Sequence, residues 1–120
     1  MAEAPILIVD DDESIRQTVS EILEVEGYRV CAAANGEEAL ERVAETRPAL
    51  VLLDMRMPVL DGWGFARVLR ERGIRLPILV MTAAQNARGW AEEIGADGYV
   101  AKPFDLDDLL SQIERLRIAN

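Results

Sequence analysis

The chain has no histidine and one cysteine, and its aromatics are confined to two Trp, two Tyr and two Phe in 120 residues. Without histidine there is no serine triad with a His base, no His-ligated zinc, and no phosphohistidine carried by the chain itself. The lone Cys31 excludes an internal disulfide and a thiolate metal cluster, and it fits a reducing compartment. It lies in an apolar, strand-like run, so it reads as a small buried hydrophobe rather than a reactive thiol. Basic residues are in deficit: 13 Lys and Arg face 22 Asp and Glu, for a formal charge of −9. A phosphate backbone would be repelled, so nucleic acid is not expected as a direct partner. No apolar run approaches the roughly 20 residues that span a bilayer. Met1-Ala2-Glu3-Ala4-Pro5 offers neither the basic segment nor the long apolar segment of a signal peptide. The expectation is a soluble, cytoplasmic chain with no membrane partner, forming one domain over residues 1–120 without repeats or linkers.

Short continuous apolar runs are present, and each ends on a reactive group. Ile6-Leu7-Ile8-Val9 runs into Asp10-Asp11-Asp12, and residues 49–53, behind Pro48, end on Asp54. Ile78-Leu79-Val80-Met81 ends on Thr82, and Tyr99-Val100-Ala101 ends on Lys102. Runs too apolar to alternate belong to strands covered on both faces.

Between them lie segments of helical period. Ile15, Val19, Ile22 and Leu23 share a face that Gly27 closes. A second strand is expected over 28–32. Asn35 then caps a helix with Glu38 three residues on, whose inner face is Ala39, Leu40, Val43 and Ala44, before Pro48 stops it. Pro58 and Asp61-Gly62 mark a loop, and Phe65, Val68 and Leu69 a third helix ending at Gly73. Residues 86–94 form the least helical segment, since Gly89 lies inside it. Asp105 caps the last helix, with Leu106, Leu109, Leu110, Ile113 and Leu116 inward.

The order is (βα)5. Right-handed crossovers then make an α/β, doubly wound, five-stranded parallel sheet of strand order 2-1-3-4-5, whose switch point lies between strands one and three. Asp10, Asp11 and Asp54 should converge there, because open parallel sheets bind ligands outside the carboxyl ends of their strands. Three clustered carboxylates repel each other unless one is protonated or a divalent cation neutralises them. Oxygen-only donors select a hard ion such as Mg2+ over zinc. Beside such an ion a carboxylate is a nucleophile for a phosphoryl group, whose three charged oxygens would be met by the ion, by Lys102 and by the Thr82 hydroxyl. Singly, each residue has a plainer reading: Asp12 and Glu13 as helix-dipole partners, Thr82 as a turn residue, Lys102 as a solvated surface amine.

In order and spacing, Ile8-Val9-Asp10-Asp11, Leu53-Asp54-Met55-Arg56-Met57-Pro58, Asp61-Gly62, Met81-Thr82-Ala83 and Gly98-Tyr99-Val100-Ala101-Lys102-Pro103-Phe104 form one signature. The chain resembles the receiver domain of two-component response regulators, of flavodoxin-like fold, from Ile6 to Leu116. The resemblance implies that Asp54 accepts phosphate from a sensor histidine kinase or phosphotransfer protein. It implies that Asp11, Asp54 and the backbone carbonyl of Arg56 bind Mg2+, and that Asp10 assists through water. Lys102, ahead of a cis bond to Pro103, would pair with the phosphate, and Thr82 and Tyr99 would form the switch pair. The fourth helix, fifth strand and fifth helix would be the output face toward a downstream partner, and the poor helical propensity around Gly89 is expected to make that face mobile. A phosphorylation-dependent homodimer is one further state the resemblance allows.

The chain would not be an enzyme beyond its own phosphotransfer and dephosphorylation. With no segment after the fifth helix, it is either a stand-alone regulator or a piece of a longer protein. Arg56 and Ala84 depart from the commonest pattern, and Arg56 is expected to slow dephosphorylation. Trp63 is placed as a reporter near Asp54, and Trp90 as an exposed anchor or a core residue. The rival reading is an Mg-dependent phosphohydrolase using Asp10-Asp11-Asp12. A flavin module is disfavoured because acids follow strand one where a phosphate loop would stand. An unphosphorylated interaction domain is disfavoured because the acid, Thr and Lys set is whole.

Overall fold

The computed structural model describes residues 4–118. Residues 1–3 and 119–120, with the ends of the single domain expected over 1–120, lie outside the described residues. Strands and helices alternate as β1 (Ile6–Val9), α1 (Glu13–Val25), β2 (Val30–Ala33), α2 (Gly36–Thr46), β3 (Leu50–Asp54), α3 (Gly62–Glu71), β4 (Ile78–Ala83), α4 (Ala84–Ile94), β5 (Gly98–Lys102) and α5 (Leu106–Ile118). The five strands form one parallel sheet in the expected order β2-β1-β3-β4-β5.

Successive residues of a strand point to opposite faces, so a continuously apolar strand feeds two cores at once. Leu7, Val9, Val51, Leu53 and Val80 pack beneath α2, α3 and α4, together with Phe65, Leu69 and Ile94. Ile6, Ile8, Leu50, Leu52, Leu79 and Met81 pack beneath α1 and α5, together with Val19, Leu23, Leu109 and Ile113. The helices start where their caps place them. Asp12, Asn35 and Asp61 accept the backbone N–H groups of Ile15, Glu38 and Gly64, and Asp105 accepts those of Asp107 and Asp108.

Five expectations need correction. β2 begins at Val30 and ends at Ala33, because its pairing with β1 matches Ile6 with Val30 and Val9 with Ala33. Tyr28 is instead drawn off: its amide donates to the Leu23 carbonyl, closing α1, and its hydroxyl donates to Glu114 on α5 at 3.0 Å. Cys31 is half-buried rather than buried, since β2 is an edge strand; its burial raises the thiol's pKa, which disfavours the thiolate. Ala44 faces solvent, one residue past the inward Val43 and hence turned about 100° from it. Leu106 is 46% exposed, in the first turn of α5 before the helix reaches the sheet. α4 also starts two residues before the expected position, at Ala84, with no side-chain cap.

Candidate functional site

Register decides which strand ends meet. β1 pairs Val9 with Leu53 of β3, which sets Asp10 level with Asp54. β3 pairs Asp54 with Met81, so Thr82 stands one residue beyond on the adjacent strand. β4 pairs Ala83 with Lys102, bringing the amine to the same edge. Carboxylate oxygens of Asp10, Asp11 and Asp54 lie within 4.8 Å of one another. Asp10 and Asp54 are buried, at 1% and 6% exposure, while Asp11 faces solvent. Thr82 is buried beside them.

The two buried acids are held differently. Asp10 is fully engaged: Oδ1 accepts the Asp12 amide at 2.9 Å, and Oδ2 accepts the Lys102 ammonium at 2.7 Å. Its carbonyl accepts the Arg16 guanidinium at 2.8 Å. Asp54 has the Lys102 Nζ only at 3.8 Å from Oδ1. Burial pushes the Asp54 carboxyl up to about 6, and the Asp10 charge adds to the rise. Lys102 and the Arg56 amide pull it back in part, and Asp11 raises it further. A carboxylate in this state is ionised at neutral pH but poorly neutralised, which suits a cation or a new anion partner rather than a finished ion pair.

The loop after β3 closes tightly over this edge. The Gly62 amide donates to the Met55 carbonyl at 2.9 Å. A Cβ on Gly62 would fall 2.5 Å from Met55 Sδ and 2.8 Å from Met55 Cα, so only glycine allows α3 to begin there. The loop also holds Val59 at φ 71°, a left-handed conformation that β-branched residues seldom adopt. The Lys102–Pro103 bond is cis, as expected.

Residues 6–114 match the family model described as the response regulator receiver domain. The chain belongs to the response regulator receiver domain family. A response regulator MprA of Mycobacterium leprae is 46% identical over 113 residues, covering 92% of this chain and 50% of that protein. The MprA of Mycolicibacterium vanbaalenii is 44% identical, with 92% and 49% covered. The receiver domain thus spans about half the length of the curated relatives it matches. Among solved structures, the chemotaxis protein CheY4 of Vibrio cholerae is 36% identical at a TM-score of 0.84, with 96% and 99% of the two chains covered. The NtrX receiver domain of Brucella abortus is 31% identical at a TM-score of 0.87, with 96% and 99% covered.

The receiver fold brings Asp10, Asp11, Asp54, Thr82 and Lys102 to one edge. Tyr99 is not among them; the residue is 42% exposed on β5. The Arg56 side chain also turns away, its Cζ lying 5.2 Å from the centre of the Trp90 ring. Trp63 and Trp90 are both half-buried and pack against the core under α2, α3 and α4. Sequence reasoning missed Arg16 and Glu93. Arg16 lies one turn into α1, level with the Asp10 carbonyl, and its spacing was a usable signal. Glu93 accepts the Trp63 indole N–H at 3.0 Å across α3 and α4, a pairing that only the packing reveals. Among the described residues no helix is long and apolar enough to cross a membrane.

Proposed function

We propose that this receiver domain takes a phosphoryl group onto Asp54 and uses it as a signal. The carrying observation is a buried Asp54 at the end of β3, clustered with Asp10 and Asp11 and 3.8 Å from a lysine that is already bonded elsewhere. An Asp54 carboxylate oxygen attacks the phosphorus of a phosphohistidine on a sensor histidine kinase or phosphotransfer protein. The P–N bond breaks, a P–O bond forms, and the departing imidazole takes a proton from solvent. A small acyl phosphate serves equally as donor, and the chain, lacking histidine, cannot be its own.

The donor set is all oxygen and within 4.8 Å, which fits a hard divalent cation. Asp11, Asp54 and the Arg56 backbone carbonyl would hold Mg2+, with Asp10 acting through water. When bound, Mg2+ neutralises charge on a phosphoryl oxygen. Lys102 shifts from Asp10 toward the phosphoryl group, and the Thr82 hydroxyl donates to another of its oxygens. Tyr99, exposed before the reaction, follows Thr82 inward, so α4, β5 and α5 present a changed face to a downstream protein or effector. The activity is confined to self-phosphorylation and self-dephosphorylation. A phosphohydrolase acting through Asp10 is disfavoured, because both Asp10 oxygens are occupied.

Intact mass after incubation with Mg2+ and acetyl phosphate tests this reading. One phosphoryl group is expected on the wild type and none on Asp54→Ala. Equal uptake by the variant would move the acceptor elsewhere.

A further inference from the structure

A run of contacts leads from the acidic edge to the opposite side of the β3 loop. Arg56 follows Asp54 by two residues, yet its guanidinium lies over Trp90, with Cζ 5.2 Å from the ring centroid. Trp90 in α4 meets Trp63 in α3 edge-on, with centroids 4.9 Å apart and planes at 68°. Trp63 is fastened in turn to Glu93 of α4. The ring under Arg56 is therefore itself braced by two helices, while Arg56 is exposed on the loop after β3.

Arg56 lies over the ring although Asp54, two residues before it, belongs to a cluster of three carboxylates partly neutralised by Lys102. Phosphorylation changes that balance. It adds about −1.5 to −2 charge and three strong acceptor oxygens at Asp54. A guanidinium meets such oxygens with paired, charge-assisted hydrogen bonds, whereas an aromatic ring face is a weaker partner. Since Arg56 stands two residues after Asp54 on the loop that leaves β3, rotation of the long side chain alone makes the transfer.

We propose that Trp90 is a positioning residue for Arg56: it holds the guanidinium off Asp54 before phosphorylation and competes for it afterwards, so that it limits how well Arg56 shields the phosphoryl group from water. This rests on Asp54 being the phosphoacceptor. Removing the ring leaves Arg56 to the phosphoryl group and lengthens the life of the phosphorylated state about two- to fivefold, the factor an exposed cation–π contact supports. Trp90→Phe, with a weaker ring quadrupole and less disturbance of packing, falls between wild type and Trp90→Leu.

The test is the decay of phosphorylated protein by intact mass, after acetyl phosphate is removed, for wild type, Trp90→Phe and Trp90→Leu, each with Arg56 and with Arg56→Ala. The expected result is a graded lengthening with Arg56 present and one common, shorter lifetime without it. Equal lifetimes across the Arg56 series overturn the inference, as does a Trp90 effect that survives Arg56→Ala, which would mark a purely structural role. NMR of the metal-free wild type supplies a readout apart from reactivity. The Arg56 side-chain protons are expected upfield under the indole ring current, and that displacement should shrink, without vanishing, on phosphorylation. An unchanged displacement in the phosphorylated protein overturns the transfer. Wild type that takes up no phosphoryl group defeats the reading of Asp54 itself; uptake with unchanged lifetimes defeats only the role of Trp90.

Discussion

Asp54 concentrates the pH sensitivity of the site, because folding buries its carboxyl beside another acid. Its pKa rises to about 6 from an ordinary 3.8, so the native state binds the proton more tightly than the unfolded chain. Ionisation therefore opposes folding: the penalty is complete above pH 6 and disappears below about 4. In metal-free protein, Asp54→Asn should gain about 3 kcal/mol of unfolding free energy near pH 7.5. That gain should shrink toward zero as the pH falls from 6 to 4. Urea unfolding at several pH values measures it, and an equal gain at pH 4 and 7.5 would contradict the burial of an unneutralised charge. Lys102 is the chain's one lysine, all the other basic residues among its 13 being arginines. A compact ammonium on a flexible stem can leave Asp10 for a new anion more readily than a planar guanidinium fixed by paired bonds. The identities of Asp54, Thr82 and Lys102 were legible from the strands they terminate. The ring under Arg56 was not, because α3 and α4 meet only in the folded chain.

Among the elements, the strands were read most fully, and for one reason. β1, β3 and β4 are covered on both faces, so their apolar runs had no polar interruption until the site edge. β2 was misplaced by two residues because an edge strand is only half-buried and carries a weaker pattern. α2 and α3 were marked by Asn35 and Asp61, which cap them as expected. α4 has no such cap, and Gly89 sits in its middle, exposed, with nothing within 4 Å of where a Cβ would lie. Gly89→Ala should therefore stabilise the receiver domain by about 1 kcal/mol, the helix-propensity difference alone. Chemical denaturation reads this as a higher midpoint at unchanged slope. A destabilised variant would mean that α4 adopts a second arrangement in which Gly89 is needed.

For the whole molecule, the decisive quantity is charge. A formal −9 is spread over the surface, but three carboxylates are focused within 4.8 Å at one edge of the sheet. A cation that binds only this native arrangement stabilises the entire fold, by about 2.7 kcal/mol at a concentration one hundred times its Kd. Saturating Mg2+ should raise the Tm of wild type clearly and that of Asp11→Asn far less. Equal shifts in both would place the ion elsewhere. The amino-acid sequence by itself determined the α/β class, the strand order and the set of reactive side chains, since these follow from burial on both strand faces, from crossover handedness and from what ends each strand. Only the tertiary structure decided how those groups are engaged. Lys102 is committed to Asp10, Asp54 is left poorly neutralised, and Arg56 is drawn onto Trp90. Each of these outcomes depends on register between strands and on packing between helices distant in sequence, and no local pattern of residues encodes either.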